Sequence, residues 1–105
     1  MASRAETEFR YEKLTWPEIN DAVDGDQVCI VPCGAVEQHG HHLPLDVDLV
    51  CPTAIAHGAG QQIPDKMLVL PIVAYGYTGH VMDFPGTINN DFEHFMHHVL
   101  DITKS

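Results

Sequence analysis

Glu37, His39 and Asp48 stand within a polar stretch, rich in glycine and histidine, that runs from Cys33 to about Asp48. Two carboxylates and an imidazole make a mixed hard and borderline donor set, suited to zinc or manganese. His41, His42 and Asp46 lie among them as further possible ligands. Gly34 and Gly40 let the backbone turn tightly enough for such groups to converge. The alternative reading is a solvated loop with incidental histidines, because a Glu-x-His pair also arises by chance. The number of ligand types directly after an apolar run weighs against it.

The remaining histidines carry less. The chain has 8 in all, and His94, His97 and His98 form a second cluster. On a helical wheel these three lie opposite the Phe92, Phe95, Met96 and Val99 stripe and are expected to face solvent. His94 and His98 have the spacing of a two-point metal clamp, but an ordinary solvated face is the favoured reading. His57 has no partner nearby in sequence. His80 lies in a second polar loop, Tyr75 to Asn90, expected beside the first, and is a candidate substrate contact.

Charge narrows the partners. Fifteen acidic residues against 5 basic ones give a formal net charge of −10, which repels phosphate backbones and anionic lipid and disfavours nucleic-acid or membrane roles. No apolar run approaches the ~18 residues that cross a bilayer. Cys29, Cys33 and Cys51 are an odd set with no C-x-x-C pair. The N-terminus has no secretory signal pattern, so a cytoplasmic protein with reduced thiols is expected.

The elements that would position these groups follow from pattern. Thr15-Trp16-Pro17-Glu18 has capping-box spacing and predicts a short helix to about Val23, broken by Asp24-Gly25-Asp26. Val28 to Val31 reads as a strand buried on both faces. A helix is expected from about Val50 to Gln62 with Pro52 in its first turn and Asp48 just before it, where the positive helix end keeps a carboxylate ionised. Met67 to Val73 reads as a second buried strand, or two short ones split at Pro71. A last helix is expected from near Asn90, as N-cap, with Glu93 three positions on. This alternation predicts an α/β domain with a parallel sheet. Two strands make a poor parallel sheet by themselves, so residues 1–105 are expected to form a single N-terminal portion of a larger α/β domain, or to associate.

Val31-Pro32-x-Gly34-x-x-Glu37-Gln38-His39-Gly40-x-His42-Leu43-Pro44, closed by Asp48, resembles the creatininase (creatinine amidohydrolase) family. Phe84-Pro85-Gly86-Thr87 is similar to that family's second signature, and Leu14-Thr15-Trp16 to its opening helix. The resemblance runs from about residue 14 to about residue 90. It implies a three-layer parallel-sheet fold, incomplete in this chain, and two divalent metal ions, zinc and/or manganese. Glu37 would bind one ion, His39 the other, and Asp48 would bridge them. No side chain is implied as catalytic beyond the water those ions share, which would supply hydroxide to attack a carbonyl. The implied activity is hydrolysis of a non-peptide or cyclic amide C–N bond in a small-molecule substrate, by a homo-oligomer, commonly a hexamer.

Relatives also act on formamides, peptides and cyclic ketones, so the resemblance leaves the substrate open. Thr78 stands where many relatives carry serine, in a loop that borders the substrate pocket, so Thr78 and His80 are the implied substrate contacts and creatinine itself does not follow. The family takes a further histidine and glutamate as ligands from its second half, and the chain ends before that point, so half a site is expected. Two other readings are a non-catalytic metal-binding or assembly fragment, and a purely structural α/β fragment.

Overall fold

Helix and strand alternate along the chain as the patterning predicts. The computed structural model describes residues 3–105. It contains α1 (Trp16–Asp24), β1 (Val28–Ile30), α2 (Val47–Gln62), β2 (Met67–Val69) and α3 (Phe92–Lys104). Single 3-10 turns lie at Arg4–Glu6, Tyr11–Lys13 and Gly79–Val81. The chain divides into two compact units: residues up to Pro32 with Thr53–Pro71, and Cys33–Pro52 with Ile72–Ser105.

In the first unit, the Thr15 amide and hydroxyl both donate to Glu18 Oε1 at 2.9 Å, which closes the start of α1. These bonds hold the Glu18 carboxyl below its ordinary range, with the charge of Arg4 adding a smaller effect. α1 ends at Gly25, but the left-handed residue is Asp26, at φ 53, a conformation that aspartate tolerates.

β1 and β2 pair in parallel, with Val28 opposite Met67, Cys29 opposite Leu68 and Ile30 opposite Val69. β2 is the buried strand. Its Val69 amide donates to Phe9 O at 2.7 Å while the Leu70 amide donates to Ile30 O at 2.9 Å, so β2 is paired along both edges. Successive side chains of a strand point to opposite faces. Leu68 accordingly packs with Ala5, Ala22 and Ile19 on one face, and Val69 with Phe9 and Ala56 on the other. Helix α1 covers the Leu68 face and α2 the Val69 face, which is a helix–sheet–helix layering.

The expectation that β1 is buried on both faces does not hold. Val28 is 60% exposed and Cys29 is exposed. Among the described residues β1 has β2 as its only strand neighbour, and the apolar clusters form around β2 instead, so an apolar run is not sufficient to mark a covered strand.

In the second unit, regular structure is sparse. Past Pro71, which has no amide to donate, a single parallel bridge joins Cys33 and Val73, and the Gly34 amide donates to Val73 O at 2.8 Å. Of the two readings of Met67 to Val73, one continuous strand or a split at Pro71, the split one holds. α2 starts three residues before the expected position, because the Leu49 and Val50 amides both find Asp46 O at 2.9 Å. Pro52 therefore lies inside the helix and Asp48 within its first turn. Asp91 rather than Asn90 occupies the N-cap position of α3, without a side-chain capping bond; the Asn90 amide is taken by Gly76 O at 3.1 Å. No described residue of α3 is buried, and Phe92, Met96 and Leu100 of its apolar stripe are all exposed. Among the described residues no helix is long and apolar enough to cross a membrane.

Candidate metal centre

The ligand-bearing loop leaves Cys33, turns back, and enters α2, all within the second unit. Its anchor is a close backbone approach. A proline has no amide for the carbonyl four residues earlier, so Pro52 leaves Asp48 O without that helical partner. Gly34 packs against this freed carbonyl: a Cβ at Gly34 would overlap Asp48 O outright. Gly40 takes φ 79, the tight turn expected of it.

The result is a convergent donor set. One ligand atom each from Glu37, His39 and Asp48 lies within 4.8 Å of the others, and all three residues are half-buried. His39 Nε2 is 3.6 Å from Asp48 Oδ2. On the other side of the ring, His39 Nδ1 is 3.1 Å from the Glu37 carbonyl oxygen. A carbonyl only accepts, so that contact is a hydrogen bond when Nδ1 carries the proton, and in the neutral ring the Nε2 lone pair then faces Asp48.

Electrostatics favours a cation here. The Glu37 carboxyl is raised above its ordinary range, first by a hydrogen bond shared with Asp48, then by burial and by the Asp48 charge. Two carboxylates this close cannot both ionise at ease, and a divalent ion between them would remove the conflict. Asp48 gains further from the positive end of α2. The donor chemistry and the spacing therefore fit a divalent metal.

Of the other residues singled out in the sequence, His41, His42 and Asp46 are exposed and do not join the cluster. His80 is exposed in its 3-10 turn, near enough for its charge to act on Glu37. Thr78 is fully buried. Its hydroxyl donates to Ile88 O at 2.7 Å and its amide to Asn89 Oδ1 at 2.8 Å. Thr78 therefore ties the two ends of its own loop together and turns no hydroxyl outward. His94 and His98 are exposed as expected, but they also line a cavity of about 480 Å³ with Tyr75, Asn89 and Asn90. Sequence reasoning missed the Gly34–Asp48 contact and the bond from the Gln38 amide to Thr87 Oγ1, 3.0 Å. Pro52, one turn after Asp48, was the signal for the first, and the Phe-Pro-Gly-Thr stretch for the second.

Comparison with known proteins gives the family. The creatininase family model, described as creatinine amidohydrolase, matches residues 12–105. The chain belongs to the creatininase family. Its match to the creatinine amidohydrolase of Pseudomonas putida is 41% identical over 85 residues, covering 75% of this chain and 32% of that protein. A mycofactocin precursor peptide peptidase of Mycobacterium ulcerans (strain Agy99) is 38% identical over 82 residues, covering 71% of this chain and 29% of its own. A crystal structure of creatinine amidohydrolase (creatininase) superimposes with TM-score 0.82 at 36% identity, over 92% of this chain and 39% of that one. A manganese creatininase gives TM-score 0.81 at 37% identity, over 90% of this chain and 38% of its own. Mutant creatininase is also known in a Zn-Zn type, with TM-score 0.81 and 38% identity. The fold is thus creatininase-like α/β, and the chain spans about a third of the length of these creatininase-family relatives.

Proposed function

We propose that this chain carries the first half of the metal centre of a metal-dependent amidohydrolase. The substrate class would be a small molecule with a non-peptide or cyclic amide C–N bond. The observation that carries the reading is the convergence of Glu37, His39 and Asp48 within 4.8 Å in a creatininase-family chain. Glu37 would hold one divalent ion, His39 the other, and Asp48 both; zinc and manganese suit the donors. Divalent ions held there would polarise an amide carbonyl and acidify water.

The protein's own residues supply orientation. The Glu37 carbonyl fixes the His39 ring, and the first turn of α2 fixes Asp48. His80, exposed and close enough to act on Glu37, is the residue proposed to face substrate. Thr78 would contribute by holding its loop against Ile88 and Asn89. A net charge of −10 supports a small-molecule partner over nucleic acid. A cytoplasmic, homo-oligomeric protein belongs to the same proposal; for the compartment, the odd set of three cysteines without a C-x-x-C pair supports it.

Three donors do not fill the coordination shells of two ions, and that favours one second reading, a metal-binding or assembly fragment without activity of its own. Metal content per chain, measured by inductively coupled plasma mass spectrometry on the purified protein, tests both. Close to two equivalents, with turnover in a screen of amides, supports the hydrolase. Bound metal without turnover supports the fragment, and no metal above that of a Glu37→Gln/His39→Ala double variant overturns both.

A further inference from the structure

Phe84-Pro85-Gly86-Thr87 has no part in the donor set, yet its last residue reaches the ligand loop. Thr87 is buried, at 8% exposure. Its Oγ1 accepts the Gln38 amide at 3.0 Å, and the next residue, Ile88, donates its own amide to Val36 O at 2.9 Å. Two consecutive residues thus grip the chain on either side of Glu37.

The peptide unit involved is the informative part. The Gln38 amide and the Glu37 carbonyl belong to one planar peptide group, so orienting one end orients the other. That Glu37 carbonyl is the group 3.1 Å from His39 Nδ1. A continuous line therefore runs from Thr87 Oγ1 through the Glu37–Gln38 peptide and the His39 ring to Nε2, 3.6 Å from Asp48 Oδ2. The loop is irregular, and no strand or helix ladder holds this peptide plane in Thr87's place. We infer that Thr87 is a positioning residue for His39, acting through the Glu37–Gln38 peptide to keep the proton on Nδ1 and the Nε2 lone pair toward the metal. Its consequence for metal binding rests on the proposed function; its effect on the imidazole does not.

The test begins with metal-free, chelator-treated protein. Long-range 1H–15N NMR of the His39 ring, at a pH where the imidazole is neutral, reads the tautomer directly. Wild type is expected to show Nδ1–H. Thr87→Val, which keeps shape and loses the acceptor, is expected to give a tautomer mixture and faster Gln38 amide exchange. Thr87→Ser, which keeps the hydroxyl, is expected to restore both. Cobalt(II) then serves as probe: its affinity should fall on the order of 10–100-fold in Thr87→Val, with altered visible bands, and recover in Thr87→Ser.

An Nε2–H tautomer in wild type overturns the inference, as does a Thr87→Val protein with wild-type tautomer and cobalt affinity. If Thr87→Val does not fold, Thr87→Ser decides, since a mixed tautomer there also overturns it. If the tautomer responds as expected but wild type binds no cobalt, the positioning role stands and the metal reading falls.

Discussion

The two units of this chain are held together by different forces. The first gathers most of the buried apolar side chains: Ala5, Phe9, Ala22, Ala56, Leu68 and Val69. They cluster around one strand, β2, whose two faces each receive a helix. The second unit buries only Ala35 and Val73 among apolar residues, and its other buried side chains are Thr78 and Thr87. It is built from single hydrogen bonds between loop segments, in which the Thr78 hydroxyl donates to a carbonyl and the Thr87 hydroxyl accepts from an amide, and from glycines pressed against carbonyls. Apolar packing is non-directional and gives rigidity cheaply. Hydrogen bonds are directional and set the angle of a peptide or a ring. A site that must aim three donor atoms at one point therefore belongs in the second kind of region, on a loop anchored by directional contacts.

If that contrast is right, stability and metal binding should separate by mutation. The largest loss of stability is expected from Leu68→Ala, about 2–5 kcal/mol for an emptied core position, read by denaturant unfolding. The metal affinity of the remaining folded protein should not change; a matching loss of affinity would erase the distinction. The next effect belongs to the metal itself. Zinc or manganese at about a hundred times its Kd should stabilise the protein by about 2.7 kcal/mol. Asp48→Asn should abolish that gain for both ions together, seen as a flat melting temperature across a metal titration. Loss of one ion alone would contradict bridging by Asp48.

Gly34→Ala tests the anchor between stability and site. The added methyl overlaps the Asp48 carbonyl, and relieving it should cost about 1–3 kcal/mol. Unlike Leu68→Ala, it should also weaken metal binding, because Asp48 must move. The smallest effect is in the first unit. Glu18 has its carboxyl lowered by the Thr15 hydrogen bonds, so its stabilisation is complete above the ordinary glutamate range and lost as pH falls through the lowered value. Stability curves of wild type and Glu18→Gln, followed by circular dichroism against pH, should differ near neutrality and converge in acid.

Local signals were legible wherever the answer depended on a few neighbouring residues. The cap at Thr15 and Glu18, the break after Asp24, the split at Pro71 and the polar loop after the first strand all rest on such neighbours. Boundaries that depend on distant partners were not. Asn90 is a good N-cap residue, yet Gly76 takes its amide and the N-cap position of α3 falls to Asp91. Val28 and Cys29 are as apolar as a buried strand requires, yet burial went to β2, which alone is paired along both edges. His94 and His98 were readable as exposed, but not as the wall of a cavity with Tyr75, because that wall needs segments from two parts of the chain.

For the site, residue types and spacing by themselves determined that a hard and borderline donor set follows the first strand, and the motif around Glu37, His39 and Asp48 carried the family. By residue type alone His41, His42 and Asp46 stand as further candidates, and it is the family motif that singles out Glu37, His39 and Asp48. The tertiary structure brings these three together and leaves the others outside, because convergence depends on where the backbone returns. That return is decided by Gly34 against the Asp48 carbonyl and by Thr87 on the Gln38 amide, contacts spanning 14 and 49 residues of sequence. No local pattern encodes such a distance, whereas a hydrogen bond across it fixes the ring that must face the metal.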